Sequence, residues 1–142
     1  MQTFLPYPNY VKSAKVLDYK RLGKQRIEAL MIIKILYADN SESRWKNHPA
    51  VRMWWGYSNN LKEYYNAIVE EWIRRGYKNN MPRNLFHKTY SKPNWIFDER
   101  FCISHQSNLV RKFPEHYKKF FPDVPDNLSY FWPSQHEEYQ WE

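Results

Sequence analysis

The chain is poor in the residues that build several common kinds of site. One cysteine, Cys102, excludes an internal disulfide and a cysteine-based zinc site, and it suits a reducing compartment. Three glycines in 142 residues are too few for a phosphate-cradling loop, and there is no Gly-x-Ser-x-Gly nucleophile turn. The five histidines, His48, His87, His105, His116 and His136, show no His-x-x-x-His spacing, so no metal is expected. No apolar run approaches the roughly 20 residues of a membrane helix, and the start Met-Gln-Thr-Phe has no basic leader-like segment. The expectation is an intracellular protein with no membrane partner. Acidic side chains are also in deficit, 15 against 22 Lys plus Arg, which gives a formal charge of +7.

What is abundant is aromatic. Seven Trp, 12 Tyr and eight Phe are roughly twice the usual share. They can fill a core or line a surface that stacks bases. The positive charge lies in residues 1–119, while residues 120–142 carry five acidic side chains and no Lys or Arg. A basic, aromatic body is the footprint of a polyanion binder, and equally of a basic protein whose lysines are only solvated.

The length fits one domain over residues 1–142. The apolar, Pro-containing stretch 1–10 reads as extended and packed. A long central helix is expected from about Val11 to Ala38, buried nearly all round from Ile27 onward, with Gly23 marking a kink or a close backbone approach. A polar loop over Asp39–Asn47 leads to a short helix within His48–Trp55, opened by Pro49. Leu61, Tyr64, Tyr65, Ile68, Trp72 and Ile73 form one helical stripe, with Asn60 and Glu63 resembling a capping box. Arg74 and Arg75 fit its last turn and Gly76 its stop. Tyr77–Phe97 reads as a long irregular connection and a candidate functional loop. Asp98 caps a helix to Arg111, and Pro114 opens another to about Phe121. An irregular Pro- and aromatic-rich tail closes the chain, and no strand is expected. The fold class is all-α, a compact single-domain helical fold with a long central helix and two further main helices.

Two kinds of constellation could carry function. On the first long helix Arg21, Lys24 and Glu28 share a side, with Gln25 beside them and Lys20 and Arg26 flanking. A carboxylate among cations could take a proton at short range, and the same spacing also fits an ordinary Lys24–Glu28 pair. In Ser43–Trp55, Arg44, Lys46, His48 and Arg52 alternate with Trp45, Trp54 and Trp55, which suits phosphate contacts beside stacking rings. The tryptophans could as well be core. Arg111–Phe121, with Lys112, Tyr117, Lys118 and Lys119, has the same character. Cys102 reads as a buried structural thiol.

The order of three pieces resembles the pyrimidine-dimer DNA glycosylases of the phage endonuclease V type. They are Leu22-Gly23-x-x-Arg26-x-Glu28, the helix ending Arg74-Arg75-Gly76-Tyr77, and Leu109-x-x-Lys112-x-Pro114-x-x-Tyr117, together spanning roughly residues 14–121. The resemblance implies a compact helical fold without metal or organic cofactor. It also implies attack by the α-amine of the first residue on the sugar C1′, loss of the base, a Schiff base, and β-elimination assisted by a helix-borne glutamate.

Carried over, Glu28 is that glutamate and Arg26 a phosphate or active-site cation, with the family's short Arg-Glu pairing lengthened to Arg26-Ile27-Glu28. Gln2 is a poor substrate for initiator-methionine removal, so the catalytic terminus is Met1 with Gln2 beside it. An ordinary α-amine has a pKa near 7.7–8 and is partly neutral at pH 7 without further tuning. The implied partner is double-stranded DNA carrying a damaged or modified base, engaged by a monomer. The alternative is a non-catalytic DNA- or RNA-binding module using the same basic-aromatic surface.

Overall fold

The computed structural model describes residues 1–37, 43–89 and 91–139. Among these there is no strand, and the chain is all-α. Its α-helices are α1 (Tyr10–Val16), α2 (Tyr19–Tyr37), α3 (Pro49–Arg52), α4 (Ser58–Arg74), α5 (Glu99–Lys112) and α6 (Pro114–Tyr117). Single 3₁₀ turns at Asn94–Phe97, Pro133–Gln135 and Glu137–Tyr139 punctuate the irregular segments.

The centre of the molecule is the pairing of α2 with α4, and α1 packs on α4 beside it. Leu22, Ala29 and Ile32 of α2 meet Leu61, Tyr64, Tyr65 and Ile68 of α4 in one core that also takes Trp54, Trp95 and Phe101. Residues 2–6 run extended and buried between these helices and α5. Leu5 N donates to His105 Nδ1 of α5 (3.0 Å), and Gln106 Nε2 donates to Pro6 O (2.8 Å).

The long first helix predicted from sequence is two helices. Leu17 is extended (φ −68°, ψ 138°), and Asp18 restarts the chain, its carbonyl accepting from Leu22 N at 2.8 Å. The break is held from α6. Asp18 N donates to the Tyr117 hydroxyl (2.9 Å), that hydroxyl donates to Asp18 Oδ1, and His116 Nε2 lies 2.8 Å from the Val16 carbonyl. Burial alone would raise the Asp18 pKa, but hydrogen bonds from Tyr117 and Arg21 outweigh it and hold the carboxylate below its ordinary value.

α2 runs unbroken through Gly23. A Cβ there would lie 2.9 Å from Cζ3 of Trp72, so the glycine permits close approach of α2 and α4. The second half of α2 is one-sided rather than buried all round, since Ile27 is 58% exposed. The predicted end of that helix at Ala38 and the loop positions 39–42 lie outside the described residues.

Asn60 is no cap. α4 starts at Ser58, and the Asn60 side chain instead accepts from the Tyr10 hydroxyl (2.8 Å) and donates to Ser91 O (2.8 Å). The stop of α4 is as expected, with Gly76 at φ 89°. α3 opens at Pro49 with His48 as its cap, and α5 is capped by Asp98, which accepts from Arg100 N at 2.9 Å. α6 is shorter than predicted, ending at Tyr117. Cys102 is buried on α5, and its thiol pKa is pushed up to about 12 by burial and by the Asp98 carboxylate.

Candidate active-site cleft

The start of the chain reaches α2 through one side chain. Gln25, buried and one turn before Glu28, uses all of its bonding capacity. Its Oε1 accepts from Phe4 N (3.0 Å) and lies 2.6 Å from the Tyr64 hydroxyl, which also lies 2.9 Å from the Phe4 carbonyl. Its Nε2 donates to the Gln2 carbonyl and to Glu28 Oε2, both at 2.8 Å. The Gln2 carbonyl and the Glu28 carboxylate are thus no further apart than twice that distance.

Around this junction lies a cleft of about 370 Å³, lined by Met1, Gln2, Phe4, Lys20, Arg21, Lys24, Glu28, Lys112 and Tyr130. Four cations and one carboxylate face it. The Glu28 side chain is 13% exposed, with Lys24 Nζ 3.8 Å from its Oε1, while Arg21 is paired with Asp18 at 3.2 Å. A second cleft, of about 360 Å³ between α1 and α4, carries Lys15, Arg74 and Lys92 against Glu63, Glu70 and Glu71. Its charges balance, so it offers no net attraction to a polyanion.

Aromatic and imidazole groups stand near the Met1 side. His48 Nδ1 accepts from Ala50 N (3.0 Å), so in the neutral ring the proton sits on Nε2. Its ring lies 5.8 Å from Trp45 and 6.0 Å from Trp132. Burial first, and the positive α-amine of Met1 second, lower its pKa below the ordinary histidine value. Gln2 is itself 6% exposed. Its Oε1 accepts from Thr3 N (2.8 Å), but its buried Nε2 has no hydrogen-bond partner. An orphaned buried donor of this kind costs about 1–3 kcal/mol.

The residues singled out from sequence divide into groups. Met1, Gln2, Arg21, Lys24, Glu28 and Lys112 meet in the cleft. Arg26 does not, because on α2 it points away from Glu28, with its guanidinium 4.1 Å from the Trp72 ring and bonded to Asn79 Oδ1 (2.9 Å). Arg44 and Arg52 lie over Trp45 and Trp55, at 5.3 and 4.9 Å. Lys46 is half-buried, and Lys118 and Lys119 are exposed beyond α6. Tyr117 is fully buried and fastens the α1–α2 break, so no surface is left for nucleic acid there. Trp54 is likewise core. Sequence reasoning missed Tyr130, which sits in a segment without periodicity, and gave Lys20 and Gln25 only supporting places.

Among the described residues no three His, Cys, Asp or Glu side chains converge to hold a metal ion, and no helix is long and apolar enough to cross a membrane. The fold and cleft define a class: an all-α protein that presents a chain start and a carboxylate together in a cation-rich hollow. The chain belongs to the pyrimidine dimer DNA glycosylase family, whose profile matches residues 1–85. No curated protein and no solved structure matches it. The matched span holds Met1, Gln2, Gln25 and Glu28, and the family-level activity is repair of pyrimidine-dimer DNA of the glycosylase type. The Leu109–Tyr117 motif, Lys112 and Tyr130 lie beyond that span.

Proposed function

We propose that the protein is a DNA glycosylase with AP-lyase activity, using the Met1 α-amine as nucleophile and Glu28 as the proton-transfer group. The observation that supports the reading is that Met1 and Glu28 line one basic cleft, where Gln25 ties the carbonyl of the adjoining Gln2 to the Glu28 carboxylate. The neutral amine forms a bond to C1′ of the damaged nucleotide, and the glycosidic bond breaks with its electron pair leaving on the base, which takes up a proton. The proton taken by the base comes from the newly bonded nitrogen, whose freed lone pair forms the iminium as the C1′–O4′ bond opens, and O4′ takes a proton from water. Glu28 removes a proton from C2′. The C2′–H pair becomes the C2′=C3′ bond, and the 3′ phosphate departs, nicking the strand.

Lys20, Lys24 and Lys112 around the mouth supply phosphate contacts, with Arg21 divided between Asp18 and the strand. Arg44, Lys46, His48 and Arg52 beside Trp45 and Trp132 extend that surface past Met1, and Lys118 and Lys119 extend it past Lys112.

The test is borohydride trapping on ultraviolet-irradiated duplex and on duplex with an abasic site. A covalent protein–DNA adduct is expected with both. Glu28→Gln is expected to keep duplex affinity within about two-fold while slowing strand cleavage by about 100-fold or more. Binding without any adduct on either duplex would instead describe a non-catalytic DNA-binding module. An adduct on abasic duplex with none on irradiated duplex would assign the glycosylase step to a different base.

A further inference from the structure

Four buried side-chain nitrogens among the described residues lack a hydrogen-bond partner: Gln2 Nε2, Arg52 Nε, Trp95 Nε1 and His105 Nε2. Of these residues, Gln2 alone lines the cleft that holds Met1 and Glu28. The orientation of its amide is settled by chemistry. Thr3 N–H can only donate, so the atom facing it at 2.8 Å is the oxygen, and the two N–H bonds point the other way. Tyr130 is the cleft side chain beside that nitrogen: Gln2 acts on its hydroxyl as a donor, opposing the rise that burial causes in the phenol's pKa. The contact falls short of a well-formed hydrogen bond and leaves the buried N–H poorly satisfied. The fold therefore holds a fixed, poorly satisfied donor on the residue next to Met1, in the cleft that both residues line.

We infer that the Gln2 side-chain amide is a catalytic donor for the ring oxygen, O4′, of the deoxyribose, engaged when the sugar is joined to Met1. The inference rests on the reading above, in which the Met1 nitrogen becomes bonded to C1′. O4′ is attached to that same carbon, so it lies within reach of the residue that follows the nucleophile. When the ring opens, the nitrogen lone pair forms the C1′=N bond and the C1′–O4′ pair moves onto oxygen. O4′ accepts a hydrogen bond throughout, and the bond strengthens as charge develops there, which is where a fixed donor accelerates a step. In the free protein the amide nitrogen is covered, so the sugar displaces Tyr130 on entry. Such contacts form only in the substrate complex.

The test compares two variants on two duplexes. Gln2→Glu keeps an acceptor for Thr3 N–H and has no N–H of its own, whereas Gln2→Met loses both. Each keeps a bulky second residue, so Met1 is retained. One duplex carries an abasic deoxyribose, which must open its ring before a Schiff base forms. The other carries an acyclic aldehyde in the same place, which need not. Both variants are expected to trap about 10- to 100-fold more slowly than the native protein on the abasic duplex. On the acyclic aldehyde they should be within about two-fold of it. A native-like rate for Gln2→Glu on the abasic duplex would overturn the inference and leave the side chain a purely structural tie to Thr3. Equal slowing on both duplexes would overturn it too. Failure of the native protein to trap either duplex would overturn the Met1 reading itself, a distinguishable result that removes this inference with it.

Discussion

At the scale of single residues, the polar groups of the core carry the account. Gln25 makes four hydrogen bonds that fasten residues 2–4 to α2 and α4 and hold Glu28 at the same point. His105 performs the matching task from α5, accepting from Leu5 N on Nδ1. Its burial pushes its pKa down to about 3, so the folded protein keeps it neutral through mild acid. A folded pKa below the unfolded one, near 6.5, gives stability that is fully present above pH 6.5 and is lost as pH falls toward 3. Between pH 7 and 5 this histidine alone accounts for a loss of about 2 kcal/mol. Urea unfolding at the two pH values is expected to show it, and His105→Gln, which can still accept from Leu5 N, is expected to remove most of it. The same pH slope in native and variant protein would contradict the assignment.

Residue roles were legible in sequence where spacing on a helix sufficed. Arg21, Lys24 and Glu28 share one face because of the helical repeat, and the cleft uses that face. The same repeat puts Arg26 on another side, facing Trp72 of α4, a partner that spacing within α2 does not reveal. Tyr117 lay among lysines and phenylalanines and read as surface. Its place in the core depends on Asp18, 99 positions earlier in the chain.

At the scale of elements, the helices with chemical punctuation were readable. Pro49, Asp98, Pro114 and the Arg75–Gly76 stop all stand where the sequence put them, because caps and breakers act within a few residues. The α1–α2 break was not readable in the same way. Apolar periodicity runs through it, and the interruption is sustained by Tyr117 and His116 from α6. Asp18, a good helix-starting residue inside an apparently continuous pattern, was the local trace of it.

Gly23 poses a related contest between local and tertiary effects. Helix propensity alone would make Gly23→Ala stabilising by about 1 kcal/mol. The methyl group would meet the Trp72 ring at 2.9 Å, inside an interface that also seats Arg26 and Tyr19 against that ring. The expected result is a net destabilisation of about 1–3 kcal/mol in thermal or urea unfolding. Stabilisation would mean that α2 and α4 are not in contact at this point.

At the scale of the whole molecule, the fold brings the chain start to the face of α2 where cations gather. Residues 2–6 cross the interior to do so, tied to α2, α4 and α5 in turn. Positive charge collected from distant positions, Lys20 and Lys24 on α2 and Lys112 at the end of α5, then surrounds Met1 and Glu28. The sequence showed the charge excess and the face of α2. It could not show that Lys112 and Tyr130 complete the rim, since that depends on how the last third of the chain folds back.

The central claim is that the amine of Met1 is the nucleophile, and peptide mass mapping of the borohydride-trapped adduct tests it most directly. After digestion, the remnant of the sugar is expected on the peptide that begins at Met1, attached to its α-nitrogen. A remnant on any lysine side chain instead, Lys20, Lys24 and Lys112 of the cleft included, would contradict the account.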